Sequence, residues 1–158
     1  MLEKPAGLLS QGDAGGEPSL VDHLRTHFGR HYVGLVHRLD RNTSGLMVVA
    51  KRTKAAERLT TQLQDGRLER RYLACLEGTL GTPGSETEWK NWLLKDEARN
   101  ETRAFAFTEK KPHAAAKSAA LVAKILRHGA FKGEPVTLVE FRLETGRSHQ
   151  IRVQSAFA

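Results

Sequence analysis

Two stretches of the chain repeat apolar residues at helical spacing. Leu20, Val21, Leu24 and Phe28 follow Ser19 and precede Gly29, with Asp22 three residues after Ser19. This predicts an amphipathic first helix opened by a capping-box-like pair. A second helix is expected from about Thr53, as N-cap, to Gly66, as the C′ residue. Ala56, Leu59 and Leu63 share one face of it, and Arg58 and Gln62 turn away. Between the two helices, residues 46–50 form an apolar run that reads as a buried strand behind the turn formers Asn42, Thr43, Ser44 and Gly45. Beyond residue 70 the period changes. Strands are expected at residues 71–77, 88–94, 102–108, 116–126 and 135–143, several alternating apolar and polar side chains as half-buried antiparallel strands do. Residues 78–86 and 96–101 read as loops, and no internal repeat is present. The pattern predicts one α+β domain over residues 1–158, a mixed, mainly antiparallel central sheet flanked by helices.

At 158 residues a chain of one domain buries about 70% of its unfolded surface and needs no staple. The single Cys75 forms no internal disulfide and lies in a strand pattern, so a small buried side chain in a reducing compartment is expected. No apolar run approaches the length that spans a bilayer, and no leader-like start is evident, which together suggest a cytoplasmic protein. Net charge is +7 and uneven. Lys51, Arg52, Lys54, Arg58, Arg67, Arg70 and Arg71 face only Glu57, Asp65 and Glu69 over residues 51–71, which therefore carry +4 of the total. Such a stripe suits a polyanion, and equally a solvated helix face.

One stretch carries chemistry. His37-Arg38-Leu39-Asp40-Arg41-Asn42-Thr43-Ser44-Gly45-Leu46 delivers a carboxylate out of a turn-forming segment directly before the apolar run. A lone carboxylate at a loop rim can serve as a nucleophile, or can merely satisfy turn amides. Other chemistries fit poorly. His23 and His27 stand four apart without a third ligand, so no metal is implied. There is no glycine-rich phosphate loop, residues 12–16 reading as a surface loop, and hence no nucleotide cofactor. No G-x-S-x-G elbow supports a serine hydrolase. A glycosidase would need a second carboxylate, for which Glu144 is the one candidate near a motif.

The string H-R-L-D-x-x-T-S-G-L resembles the catalytic motif of the RluA family of pseudouridine synthases. Arg71-Tyr72-Leu73-Ala74-Cys75-Leu76-Glu77-Gly78 is similar to that family's second motif, and Leu143-Glu144-Thr145-Gly146-Arg147-Ser148-His149-Gln150-Ile151-Arg152 to its third. Glu3-Lys4-Pro5-Ala6-Gly7-Leu8 resembles its K-P-x-G opening segment. The resemblance implies a cofactor-free isomerase that converts uridine in ribosomal or transfer RNA to pseudouridine. It gives Asp40 the covalent role, Tyr72 stacking on the displaced uracil and help in removing the C5 proton, and Arg152 the pairing that keeps Asp40 ionised. Arg147 is the rival for that last role, or a backbone contact. Arg38 would fill the stack vacated by a flipped uridine, or bind phosphate. His37 is expected to shape the loop. With Arg41, Lys51, Arg58, Arg67, Arg70, Arg71 and Arg147, it completes the expected RNA-contact set, while Ile151 would pack under the base. A monomer without an obligate protein partner is implied. The family usually has a His where Gln154 stands and continues into G-H-P-x-x-G-D, so the domain looks clipped at its C-terminus. Two function classes fit: an active synthase, and a catalytically inactive RNA-binding fragment of one.

Overall fold

The computed structural model describes residues 1–13, 15–29 and 32–158, and the chain clusters into two units, Met1–Leu68 and Glu69–Ala158. In the first, β1 (Leu2–Lys4) pairs antiparallel with β3 (Gly45–Met47), and β2 (Gly34–Leu35) with β4 (Val49–Ala50). Helix α1 (Leu20–His27) starts where expected. Its Ser19 amide and hydroxyl both donate to the Asp22 carboxylate, at 3.0 and 2.6 Å, and Leu20 and Val21 are buried. His23 and His27 are exposed. In the loop at residues 12–16, Gly15 N–H donates to Asp13 Oδ1 at 2.9 Å, and Ala14 lies outside the described residues.

Residues 46–50 are not one strand. The Val48 N–H donates to His37 Nε2 at 3.2 Å instead of to a ladder partner, so β3 and β4 split around it and join different sheets, and Leu46 is left 63% exposed. Helix α2 (Thr53–Gln64) is capped by Arg52 rather than Thr53. Arg52 is extended and its carbonyl accepts the first helical bonds, from Ala55 and Ala56, which makes Thr53 the first helical residue. Gly66 follows the C-cap Asp65 at φ +76°, as expected of a C′ glycine. Ala56, Leu59 and Leu63 are half-buried and Arg58 is exposed. Gln62 is also half-buried, because the chain folds back after Gly66 and Leu68 N–H reaches the Gln62 carbonyl at 2.9 Å.

The second unit is a five-stranded antiparallel sheet of β5 (Arg70–Glu77), β6 (Glu86–Asp96), β7 (Glu101–Ala106), β8 (Lys117–Phe131) and β9 (Glu134–Leu143), in the order β5-β9-β8-β6-β7. The architecture is α+β. Outside the strands, the parallel bridge Leu9↔Ser19 is recorded among the described residues. Leu121, Ala123, Ile125, Val139 and Phe141 are buried on one face, with Tyr72, Ala74, Leu76, Trp89 and Ile151 packed against them. Each fully buried large apolar side chain contributes about 1.5–3 kcal/mol. The same alternation corrects the expectation for Cys75. Tyr72, Ala74 and Leu76 take the core face, so Cys75 falls on the opposite one and is exposed.

β8 runs five residues past the alternation that predicted it. Leu126 is the extra residue of a bulge between Ile125 and Arg127, which ends the period-two pattern while the ladder with β9 continues to Phe131↔Glu134. Lys132 and Gly133, both at positive φ, close the hairpin as a two-residue turn. Helix α3 (Gln150–Phe157) has no counterpart in the sequence reading. Its buried face carries two glutamines, so no apolar stripe announces it. Gln154 Nε2 donates to the Asn91 side chain at 2.8 Å and to the Trp89 carbonyl at 3.1 Å.

Candidate active site

Asp40 is exposed, directly after the buried Leu39, on a segment whose backbone is held on both sides. On one side, Ser10 Oγ accepts the Leu39 N–H at 3.1 Å and donates to the Leu39 carbonyl at 2.6 Å. On the other, the Arg41 carbonyl accepts from Gly7 N–H at 2.8 Å and from Lys4 Nζ at 3.2 Å. Asp40's own carbonyl receives the Thr43 N–H at 3.0 Å, closing the turn the sequence indicated. A carboxylate presented this way has a fixed origin and an open side.

Lys4 is fully buried, its ammonium also bonded to the Leu8 and Pro5 carbonyls at 2.7 and 2.9 Å. Three donors meet three carbonyls, so no carboxylate is needed to satisfy it. Burial pushes its pKa down, and the nearby negative charge of Asp40 opposes that. Lys4 was legible only as part of the opening segment, and Ser10 carried no sequence signal.

The neighbours of Asp40 divide between tied and open. His37 Nε2 accepts from the Val48 N–H, which puts the proton of a neutral ring on Nδ1. Arg41, expected on RNA, donates through Nε to the Gly7 carbonyl at 3.2 Å and pairs with Glu17 at 2.6 Å. Arg38 is exposed.

In the second unit, Tyr72 is half-buried on the core face of β5, packed on the same cluster as Ile151 of α3. Ile151 thus supports the sheet core. Arg152, the next residue, is exposed. The third-motif loop that leads into α3 is organised by Gln150, which is 2% exposed. Gln150 Oε1 accepts from the Thr145 hydroxyl at 2.9 Å and from Arg147 N–H at 3.0 Å, while Nε2 donates to the Ala120 carbonyl at 3.1 Å. Sequence reasoning gave this glutamine no role. Arg147 is anchored through Nε to the Ser118 carbonyl at 3.0 Å.

The basic stripe is less free than its composition suggests. Arg67 chelates Asp65, Nε to Oδ2 at 2.8 Å, and Arg71 pairs with Glu69 at 2.8 Å and with Glu140 at 3.5 Å. Arg70 donates to the Glu144 carbonyl at 3.2 Å, and burial pulls its pKa down against the influence of Tyr72. Lys51 lies over the Phe28 ring at 4.3 Å. Arg52, Lys54 and Arg58 are exposed, with no acidic partner among the described residues.

Residues 1–157 match the family model described as RNA pseudouridylate synthase. The chain is 34% identical over 158 residues to the ribosomal large subunit pseudouridine synthase D of Yersinia pestis, across 97% of this chain and 44% of that protein. It is 33% identical over 157 residues to the dual-specificity RNA pseudouridine synthase RluA of Haemophilus ducreyi, across 98% of this chain and 66% of that one. Among solved structures, human RNA pseudouridylate synthase domain containing 1 superposes with a TM-score of 0.69 at 26% identity, over 88% of this chain and 55% of that one. The chain spans about half the length of several curated relatives it matches.

Proposed function

Since the chain belongs to the RNA pseudouridylate synthase family and resembles its RluA branch, we propose that it isomerises uridine in structured ribosomal or transfer RNA to pseudouridine. The observation that carries this reading is the Asp40 turn: an open carboxylate whose flanking backbone is pinned by Ser10 and Lys4. Catalysis by a nucleophile requires such fixed presentation, because misplacement by an ångström costs about 100-fold in rate.

The Asp40 carboxylate attacks the sugar C1′ or the uracil C6, and the C1′–N1 bond breaks. The uracil turns, C1′ bonds to C5, the bond to Asp40 breaks and returns the free carboxylate, the C5 proton leaves and N1 ends protonated, so nothing is gained or lost overall. Arg38 occupies the place of the flipped uridine, Tyr72 stacks on the base and assists loss of the C5 proton, and Arg152 holds Asp40 ionised. No step calls on a metal or an organic cofactor. The reading places the protein in the cytoplasm with its RNA. Among the described residues no helix is long and apolar enough to cross a membrane.

Tritium release from C5-labelled uridine in transcribed ribosomal and transfer RNA tests the proposal. Asp40→Asn keeps the shape and removes the nucleophile, so turnover is expected to fall about 10⁴-fold or more with RNA binding retained. Substantial release by that variant removes Asp40 from its role. The competing reading, an inactive RNA-binding fragment, draws on the partial length relative to the curated proteins. It predicts RNA binding by the parent chain without any release.

A further inference from the structure

The face of the sheet opposite the buried cluster carries an aromatic pair that the proposed chemistry does not use. Asn91 and Leu93 are buried on the core face, so Trp92 between them projects to the other side. Its Nε1 donates to the Thr108 carbonyl at 2.9 Å, fixing the indole, and the Phe107 ring stacks on it at 5.0 Å between centroids and 24° between planes. Phe107 remains 48% exposed. Lys111 Nζ stands 5.3 Å from the indole centroid. Cross-strand from Trp92 is Ser118, and the Ser118 carbonyl is the anchor of the Arg147 guanidinium. Residues 101–117 hold Arg103, Lys110, Lys111 and Lys117 against Glu101 and Glu109, a net +2, with Arg103 paired to Glu101 at 4.0 Å.

An immobilised ring stack with one open aromatic face, bordered by Lys110 and Lys111, suits a nucleobase on the ring with its phosphates on the cations. Every base has a π-face, whereas a protein partner for so basic a corner would need acidic groups of its own. We propose that Trp92, Phe107 and Lys111 form a second RNA-contact site, which stacks one unpaired nucleobase of the substrate outside the target uridine, with Lys111 and Arg147 on the adjoining phosphates. The inference rests on the RNA reading above and extends it to a single-stranded element flanking the modified position.

Anisotropy titrations at fixed salt test it, using a labelled oligouridylate of about 12 nucleotides and an RNA duplex of similar length. Phe107→Ala is expected to weaken oligouridylate binding about tenfold and Phe107→Trp to preserve it, with duplex affinity unchanged in both. Lys111→Ala should lower the salt slope by about one and leave the fold intact by circular dichroism, which keeps the test valid if the Phe107→Ala chain unfolds. Oligouridylate binding that is indifferent to both substitutions overturns the site while leaving the RNA reading standing. A parent chain that binds neither RNA takes down both. A change in sedimentation on Phe107→Ala with unchanged RNA affinity also overturns the site, and assigns the patch to a second copy of the chain.

Discussion

Ser10 and Leu39 exchange two hydrogen bonds, the Leu39 N–H donating to Ser10 Oγ at 3.1 Å and the Ser10 hydroxyl donating to the Leu39 carbonyl at 2.6 Å. Both residues are buried, so removing the hydroxyl orphans a donor and an acceptor at once. Ser10→Ala should cost about 1–3 kcal/mol of stability, read by urea denaturation. Because Leu39 immediately precedes Asp40, the same change should lower kcat more than it raises KM. Wild-type kcat in a destabilised Ser10→Ala protein would detach the Ser10 clamp from the chemistry.

Lys4 makes a pH-dependent contribution whose sign follows from its pKa, pushed down by burial. Over the window between its lowered folded value and the ordinary lysine range, the unfolded chain holds the proton that the native chain has released. Stability therefore rises with pH through that alkaline window, and the cost of burying the charge is felt below it. Lys4→Met removes this slope. It also removes the ammonium from the Pro5 and Leu8 carbonyls and leaves the Arg41 carbonyl with the Gly7 N–H alone, so the variant should be less stable by about 2 kcal/mol at neutral pH. Melting curves of both proteins from neutral to alkaline pH give the comparison, and identical slopes would contradict the assignment.

The cations of the stripe should differ in their effect on RNA. Arg58 is exposed on α2 without an acidic partner among the described residues, whereas Arg67 is chelated by Asp65, which raises its pKa. Arg58→Glu should weaken RNA binding several-fold at low salt and lower the salt slope by about one, and Arg67→Glu should do less, because Arg67 already spends its charge locally. Filter binding over a salt series separates them. Equal losses would mean that RNA breaks the Arg67–Asp65 pair on binding.

Periodicity made the strands and two helices legible, because burial on one face writes itself into the chain as alternation or helical spacing. It failed where polar atoms perform the burial. Gln150 and Gln154 hide α3 by satisfying backbone and side-chain groups with amides, and Lys4 is buried as a fully bonded ammonium. Parity misled at Cys75, since an apolar residue in a strand can fall on either face. Leu46–Ala50 split because His37 takes the Val48 amide, a side-chain competition that no local pattern records. At the site, the Asp40 turn was readable from its own residues, whereas the clamp on it depends on Ser10, far away in sequence.

Gln150 offers the sharpest test of the third-motif loop. Its amide ties Thr145, the Arg147 backbone and the Ala120 carbonyl of β8 into one unit at the start of α3, two residues before Arg152. Gln150→Ala should cost about 2–3 kcal/mol, since a buried cluster of polar groups loses its common partner. Gln150→Glu keeps the acceptor for Thr145 and Arg147 but gives up the bond to Ala120, and should recover part of that stability. If the loop positions Arg152 for the proposed chemistry, the alanine variant should also lower kcat of the folded protein, with the glutamate variant in between. A stability loss with an unchanged kcat would reduce Gln150 to a structural tie.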